Sequence, residues 1–211
     1  VYDGTVSYAA NSSELAIFSA GLVGGDSVTA AIAAYADKNV GSGKTVSPAS
    51  MTINDGNGGN NYAVTVHGNS TSSITRLASV SWAGGSSGNW SVAANWAGGA
   101  LPDAANVAAV NIPAGATVTY DLPLANAAQL TSLSSSGALV IPGGQLTVAG
   151  TLDTATYRQQ GGALTAGALT VGNQFTQTGG SILASGPVSL NQSAGNLVLG
   201  AIAAGALDLR A

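Results

Sequence analysis

Glycine pairs at Gly143-Gly144, Gly161-Gly162 and Gly179-Gly180 recur at a constant step of 18 residues. Leu146, Leu164 and Ile182 keep that step. So do Gln159 and Gln177, Asn173 and Asn191, and Gln174 and Gln192, while Tyr157 is answered by Phe175. A second glycine series, Gly150, Gly167, Gly186 and Gly205, advances by 17, 19 and 19. A unit this short cannot enclose a core of its own, so each must stack on the next. In Leu146-Thr147-Val148 and Leu169-Thr170-Val171, apolar residues alternate with threonine. Such alternation sends the apolar set inward and the threonines outward. The C-terminal half therefore reads as a β-solenoid with a shared aliphatic spine, an architecture suited to a rod or a recognition surface.

Composition fits that reading. Apolar residues make up 45% of the 211-residue chain and charged residues only 7%, with 30 glycines and no cysteine. Disorder of the usual kind needs low hydrophobicity and high charge, so an all-β fold of small residues and many turns is expected. Without cysteine there is no disulfide framework and no thiolate metal site. The net charge is −4, and Lys38, Lys44, Arg76, Arg158 and Arg210 are scattered. A nucleic-acid partner needs clustered cations and is not expected. Direct membrane insertion is not expected either, because no apolar run reaches about 20 residues. The start, Val1-Tyr2-Asp3-Gly4, lacks the basic and apolar regions of a signal peptide. The final residues stop inside a repeat, so the chain is expected to be a piece of a longer one.

Three regions follow along the chain. Residues 1–76 read as a small β module, with strand-like Val6-Ser7-Tyr8, Leu15-Ala16-Ile17-Phe18, Ser27-Val28-Thr29 and Tyr62-Ala63-Val64-Thr65-Val66. Ala30–Ala36 is assigned to β rather than to a short alanine helix. Residues 77–105 carry all three tryptophans, Trp82, Trp90 and Trp96, and read as a junction and cap. A solenoid end exposes its core and unpaired strand edges, and bulky indoles can plug it. Residues 106–211 are the solenoid of about five coils, with roughly 4.8 Å of rise per coil.

Two resemblances add to this. Tyr2-Asp3-Gly4-Thr5, Gly21–Val28, Tyr35–Val46 and Asn60-Asn61-Tyr62 stand in the order found in the YDG domain of large bacterial haemagglutinin-like proteins. The run before Asn61 is richer in Gly and Asn than that pattern. The stretches Trp82–Ser91, Asn95-Trp96 and Leu101-Pro102-Asp103 resemble the entry to bacterial β-helix passenger domains. The coils after them resemble the right-handed parallel β-helix of filamentous-haemagglutinin-type adhesins. The resemblance implies a secreted or cell-surface adhesin exported by two-partner secretion and associated with biofilm or filament formation. Its partners would be host or matrix glycans or cell-surface molecules.

Candidate site residues are few. Asn173 over Asn191 and Gln174 over Gln192 are expected to form an amide ladder that pins the coil register. Trp82, Trp90 and Trp96 serve the cap, with a sugar-stacking platform as the alternative. Asp55–Asn60 lacks the closing Glu and the spacing of a calcium loop and reads as a plain turn. His67 is the only histidine, and Asp153 and Arg158 do not recur as a catalytic cleft would. Lys38 or Lys44 with Asn60 or Asn61 reads as solvated turn chemistry rather than an isopeptide bond. No enzyme activity, metal or cofactor is expected. The expected function is that of stalk and contact surface in an adhesin. A carbohydrate-binding module and a filament subunit associating through its solenoid ends are the alternatives.

Overall fold

The computed structural model describes residues 1–193 and 197–210. The fold is all-β and separates into two compact units, Thr5–Ile74 on one side and Val1–Gly4 with Thr75–Ala211 on the other. The first four residues thus belong with the solenoid, where the sequence division at residue 76 grouped them with the module.

In Thr5–Ile74, four antiparallel strands, Ser7–Ala9, Ser27–Tyr35, Gly41–Asn54 and Asn69–Ile74, pair in chain order. Ala30–Ala36 is extended up to Tyr35, as expected. Leu15–Phe18, expected as a strand, lies instead in the helix Ser12–Ser19. Its start explains why. The Asn11 side chain accepts from the Ser13 and Glu14 amides, and the Glu14 carboxylate accepts from the Asn11 amide. This reciprocal capping box outweighs the strand preference of a four-residue apolar run. Tyr62–Val66, also expected as a strand, joins no ladder.

From its first strand, Leu77–Ser81, to Arg210 the chain builds a parallel β-solenoid of about five turns. Its spine runs Val80, Val110, Leu133, Leu152, Leu169, Val188 and Leu207, each paired with the next. A second column stacks Leu146, Leu164 and Ile182, as the 18-residue step requires, and then Ile202 after a longer step of 20. A third stacks Val118, Leu139, Tyr157 and Phe175, the last two rings parallel at 5.6 Å. Every member from Val80 to Val188 in the first column is buried, and each such side chain contributes about 2 kcal/mol. Glycine serves the corners. Gly162 has φ 71°, and a Cβ there would collide with the Gly144 carbonyl one coil below.

Candidate functional site

The solenoid begins on an aromatic cap. Trp90 and Trp96 pack edge to face at 4.7 Å, Trp82 meets Trp96 at 5.2 Å, and Tyr120 meets Trp90 at 5.2 Å. The indole N–H groups of Trp82, Trp90 and Trp96 donate to the carbonyls of Gly85, Pro102 and Trp90. All three indoles are buried, at 5%, 0% and 1% exposure. No indole face is open to a sugar ring, so the stacking platform is corrected to a plug. Geometry of this kind is what lets a large polar-tipped ring sit inside a core.

Tyr2 extends the plug. Its side chain is 2% exposed, and its hydroxyl donates to the Leu101 carbonyl at 2.8 Å and to the Asp103 carboxylate at 3.3 Å. Asn106 Nδ2 donates to the same Asp103 oxygen at 2.8 Å. Tyr120 closes the far side, accepting from the Ala128 amide and donating to the Gln145 carbonyl. Burial pushes its phenol up to about 12.

The expected amide pairs do not stack where the repeat placed them. Ser189 and Leu190 pair with Thr170 and Val171, an offset of 19, because Ser185-Gly186 adds a corner residue that Gly167 alone supplies one coil earlier. Asn191 is thereby displaced from Asn173, whose carbonyl instead accepts from the Ser193 amide. Gln174 is exposed, and Gln192 Oε1 turns inward to accept from the Phe175 amide. The in-register pair is Gln159 over Gln177, both fully buried. Gln159 donates to the carbonyls of Gly161, Gly162 and Ser181, and Gln177 to those of Gly180 and Ala201. Their recurrence at step 18 was visible in the sequence. What singles them out is a side chain that reaches the glycine corner of its own coil and of the next.

Arg76 was missed. Its guanidinium spans coils, donating to the carbonyls of Val107 and Gln129 and to the Thr131 hydroxyl. The only hint in the sequence is a lone cation directly before the first solenoid strand.

The outward side of the spine face carries a polar row. Ser81, Asn111, Ser134, Asp153, Thr170, Ser189 and Asp208 are neighbours from coil to coil. Two shallow clefts of about 330 and 290 Å³ flank it and share Ser134 and Ser136. Beside them the Ser135 hydroxyl is buried with no hydrogen-bond partner among the described residues. Asp153 and Arg158 lie on different faces, paired with Ser134 and with Val140 respectively. Their geometry gives no acid–base couple.

The remaining candidates sit in Thr5–Ile74. Lys44 Nζ lies 2.6 Å from the Asp37 carboxylate, which it holds below the usual carboxylate range. Asp55 accepts from the Gly59, Asn57 and Asn61 amides, so the expected turn is an Asp-centred one. His67 lines an apolar groove with Tyr8, Phe18, Ile32 and Val66. Among the described residues, no group of three or more His, Cys, Asp or Glu is placed to hold a metal ion.

Comparison with known families matches residues 1–74 to the YDG domain. Neither the curated proteins nor the solved structures contain a significant match. The domain and the solenoid together fit a structural or binding segment.

Proposed function

We propose that this chain is a stalk and contact segment of a large secreted or cell-surface bacterial adhesin, exported by two-partner secretion. The observation that carries the proposal is the register-matched spine of the solenoid, in which interior positions are filled by aliphatic and aromatic side chains and the outer face presents a polar row. An interior of this kind resists bending because each coil shares a ladder and a packed column with the next. The function is mechanical and adhesive rather than catalytic. The row from Ser81 to Asp208 offers one polar group per coil, a hydroxyl, an amide or a carboxylate, about 4.8 Å apart. Host or matrix glycans, with hydroxyls at a similar repeat, are the partner class such a row would hydrogen-bond.

Antibodies against the purified chain should label intact, unpermeabilised cells of the source bacterium. Beads coated with the chain should adhere to glycan-bearing surfaces, and Ser134→Leu with Asp153→Leu should reduce that adhesion while the fold is retained. Labelling only after permeabilisation would overturn the surface location. Adhesion unchanged in the double variant would overturn the polar row as its seat.

A further inference from the structure

The chain leaves the solenoid unit at Gly4 and re-enters it at Thr75, and both points are fastened. The Tyr2 amide donates to the Thr75 carbonyl at 2.8 Å, tying exit to return. The Tyr2 ring is buried in the cap, with its hydroxyl on the Leu101 carbonyl and the Asp103 carboxylate. Gly4 makes the exit possible: its φ is 85°, and a Cβ there would collide with the Gly99 carbonyl. On the return side, the Arg76 guanidinium donates to the carbonyls of Val107 and Gln129, and Leu77–Ser81 pairs with Val107–Ile112. Thr5–Ile74 is thus a loop whose two ends are joined at its base.

That loop is mechanically weak when pulled by its own ends. Ser7 pairs with Ala34 and Ile74 with Gly41, so the strands Ser7–Ala9 and Asn69–Ile74 take load at the same end of the sheet. They form its two opposite edges. A pull on Thr5 and Ile74 therefore peels each edge strand one hydrogen bond at a time, instead of shearing a whole ladder at once, and a single bond contributes little. Among the described residues, only Val28, Ile53 and Ile74 add buried hydrophobic side chains to the resistance. Tyr2 is held differently. A seated aromatic ring must leave its socket in one step, together with the bonds of its hydroxyl.

We infer that Tyr2 is a load shunt: a pull on the N-terminus passes through the Tyr2 latch into the solenoid cap and bypasses Thr5–Ile74 until the latch breaks. Two routes join Tyr2 to Thr75, one through hydrogen bonds at the base and one through the whole loop. They act in parallel, and the shorter carries the tension. The loop keeps its fold while the latch holds. Once the latch gives way, the loop peels open and adds up to roughly 240 Å of extended chain. The same residue thus protects the module and sets the threshold for extension, whether or not the chain serves an adhesin.

The chain has no cysteine, so Val1→Cys and Leu124→Cys, at residues 78% and 70% exposed, give two defined handles in the full chain. At constant force the reading is the waiting time before the chain lengthens by roughly 240 Å. Tyr2→Ala should shorten that time about tenfold, and Tyr2→Phe, which keeps the ring, by less. Ile53→Ala weakens the core of Thr5–Ile74, yet it should leave the time unchanged while Tyr2 is intact and shorten it only beside Tyr2→Ala. Shortening by Ile53→Ala with Tyr2 intact would overturn the inference, because the loop would then be carrying the load. So would an unchanged time in Tyr2→Ala. Hydrogen exchange without load supplies the second arm. Tyr2→Ala should leave the Thr5–Ile74 amides protected; if their protection is lost, Tyr2 belongs to the fold of that unit and is no shunt.

Discussion

In the solenoid, an inward side chain such as Leu152 meets another inward side chain above it and below it, Leu133 and Leu169. In Thr5–Ile74, one face of the sheet meets a helix of eight residues, about two turns. The consequence is seen in burial. Among the described residues, only Val28, Ile53 and Ile74 of that unit are buried hydrophobics, while Ile17, Phe18, Val23, Val64 and Val66 stand exposed. The two units are built from similar small-residue sequences. Stacking, not composition, separates them: a repeated coil supplies its own cover, and a single small sheet must find one.

The sharpest way to break this comparison is Leu164→Asp, which places a charge between Leu146 and Ile182. A loss of several kcal/mol is expected, enough to unfold the solenoid while the Thr5–Ile74 sheet keeps its hydrogen-exchange protection. Loss of protection in both units at once would show that their stabilities are not separable. Trp90→Ala should cost about 3–5 kcal/mol by opening the cap, and thermal unfolding should show the solenoid transition move down in temperature. Alkali offers a third test. Tyr120 has its folded pKa raised to about 12, so its contribution is complete below the unfolded value near 10 and is lost as pH rises from there through about 12. Tyr120 alone should lower solenoid stability by on the order of 2 kcal/mol across that window; burial raises the Tyr157 phenol too, so Tyr120→Phe should reduce the decline without abolishing it. The smallest effect belongs to the other unit. Asn11→Ala removes one arm of the capping box and should cost about 1 kcal/mol, read as faster exchange of the Ser12–Ser19 amides and no change in the solenoid.

Much of this was legible in the sequence. The step linking Leu146, Leu164 and Ile182 is the stacked column itself, and the clustering of the tryptophans marked the cap. The helix start was legible too, in Asn11-x-x-Glu14, beside a strand-like apolar run. Tyr2 was not. A tyrosine 101 residues from Asp103 enters the cap only because the chain leaves that unit at Gly4 and returns to it at Thr75.

What the sequence determined alone is the period. Inward and outward alternation with glycine at fixed intervals leaves stacking as the only way to bury the apolar set, and that holds whatever the rest of the chain does. What only the tertiary structure decided is which of the equal-step pairs stay in register from coil to coil. The corners between faces gain or lose a residue, as at Ser185-Gly186 against Gly167, and each such change slides the following strand by one. Asn173 and Asn191 share a step in the sequence yet are displaced in space, whereas Gln159 and Gln177 share both. Corner length is set by which backbone groups must reach the coil below; the steps of 17, 19 and 19 from Gly150 to Gly205 carry that count, and the paired strands show which residues it separates.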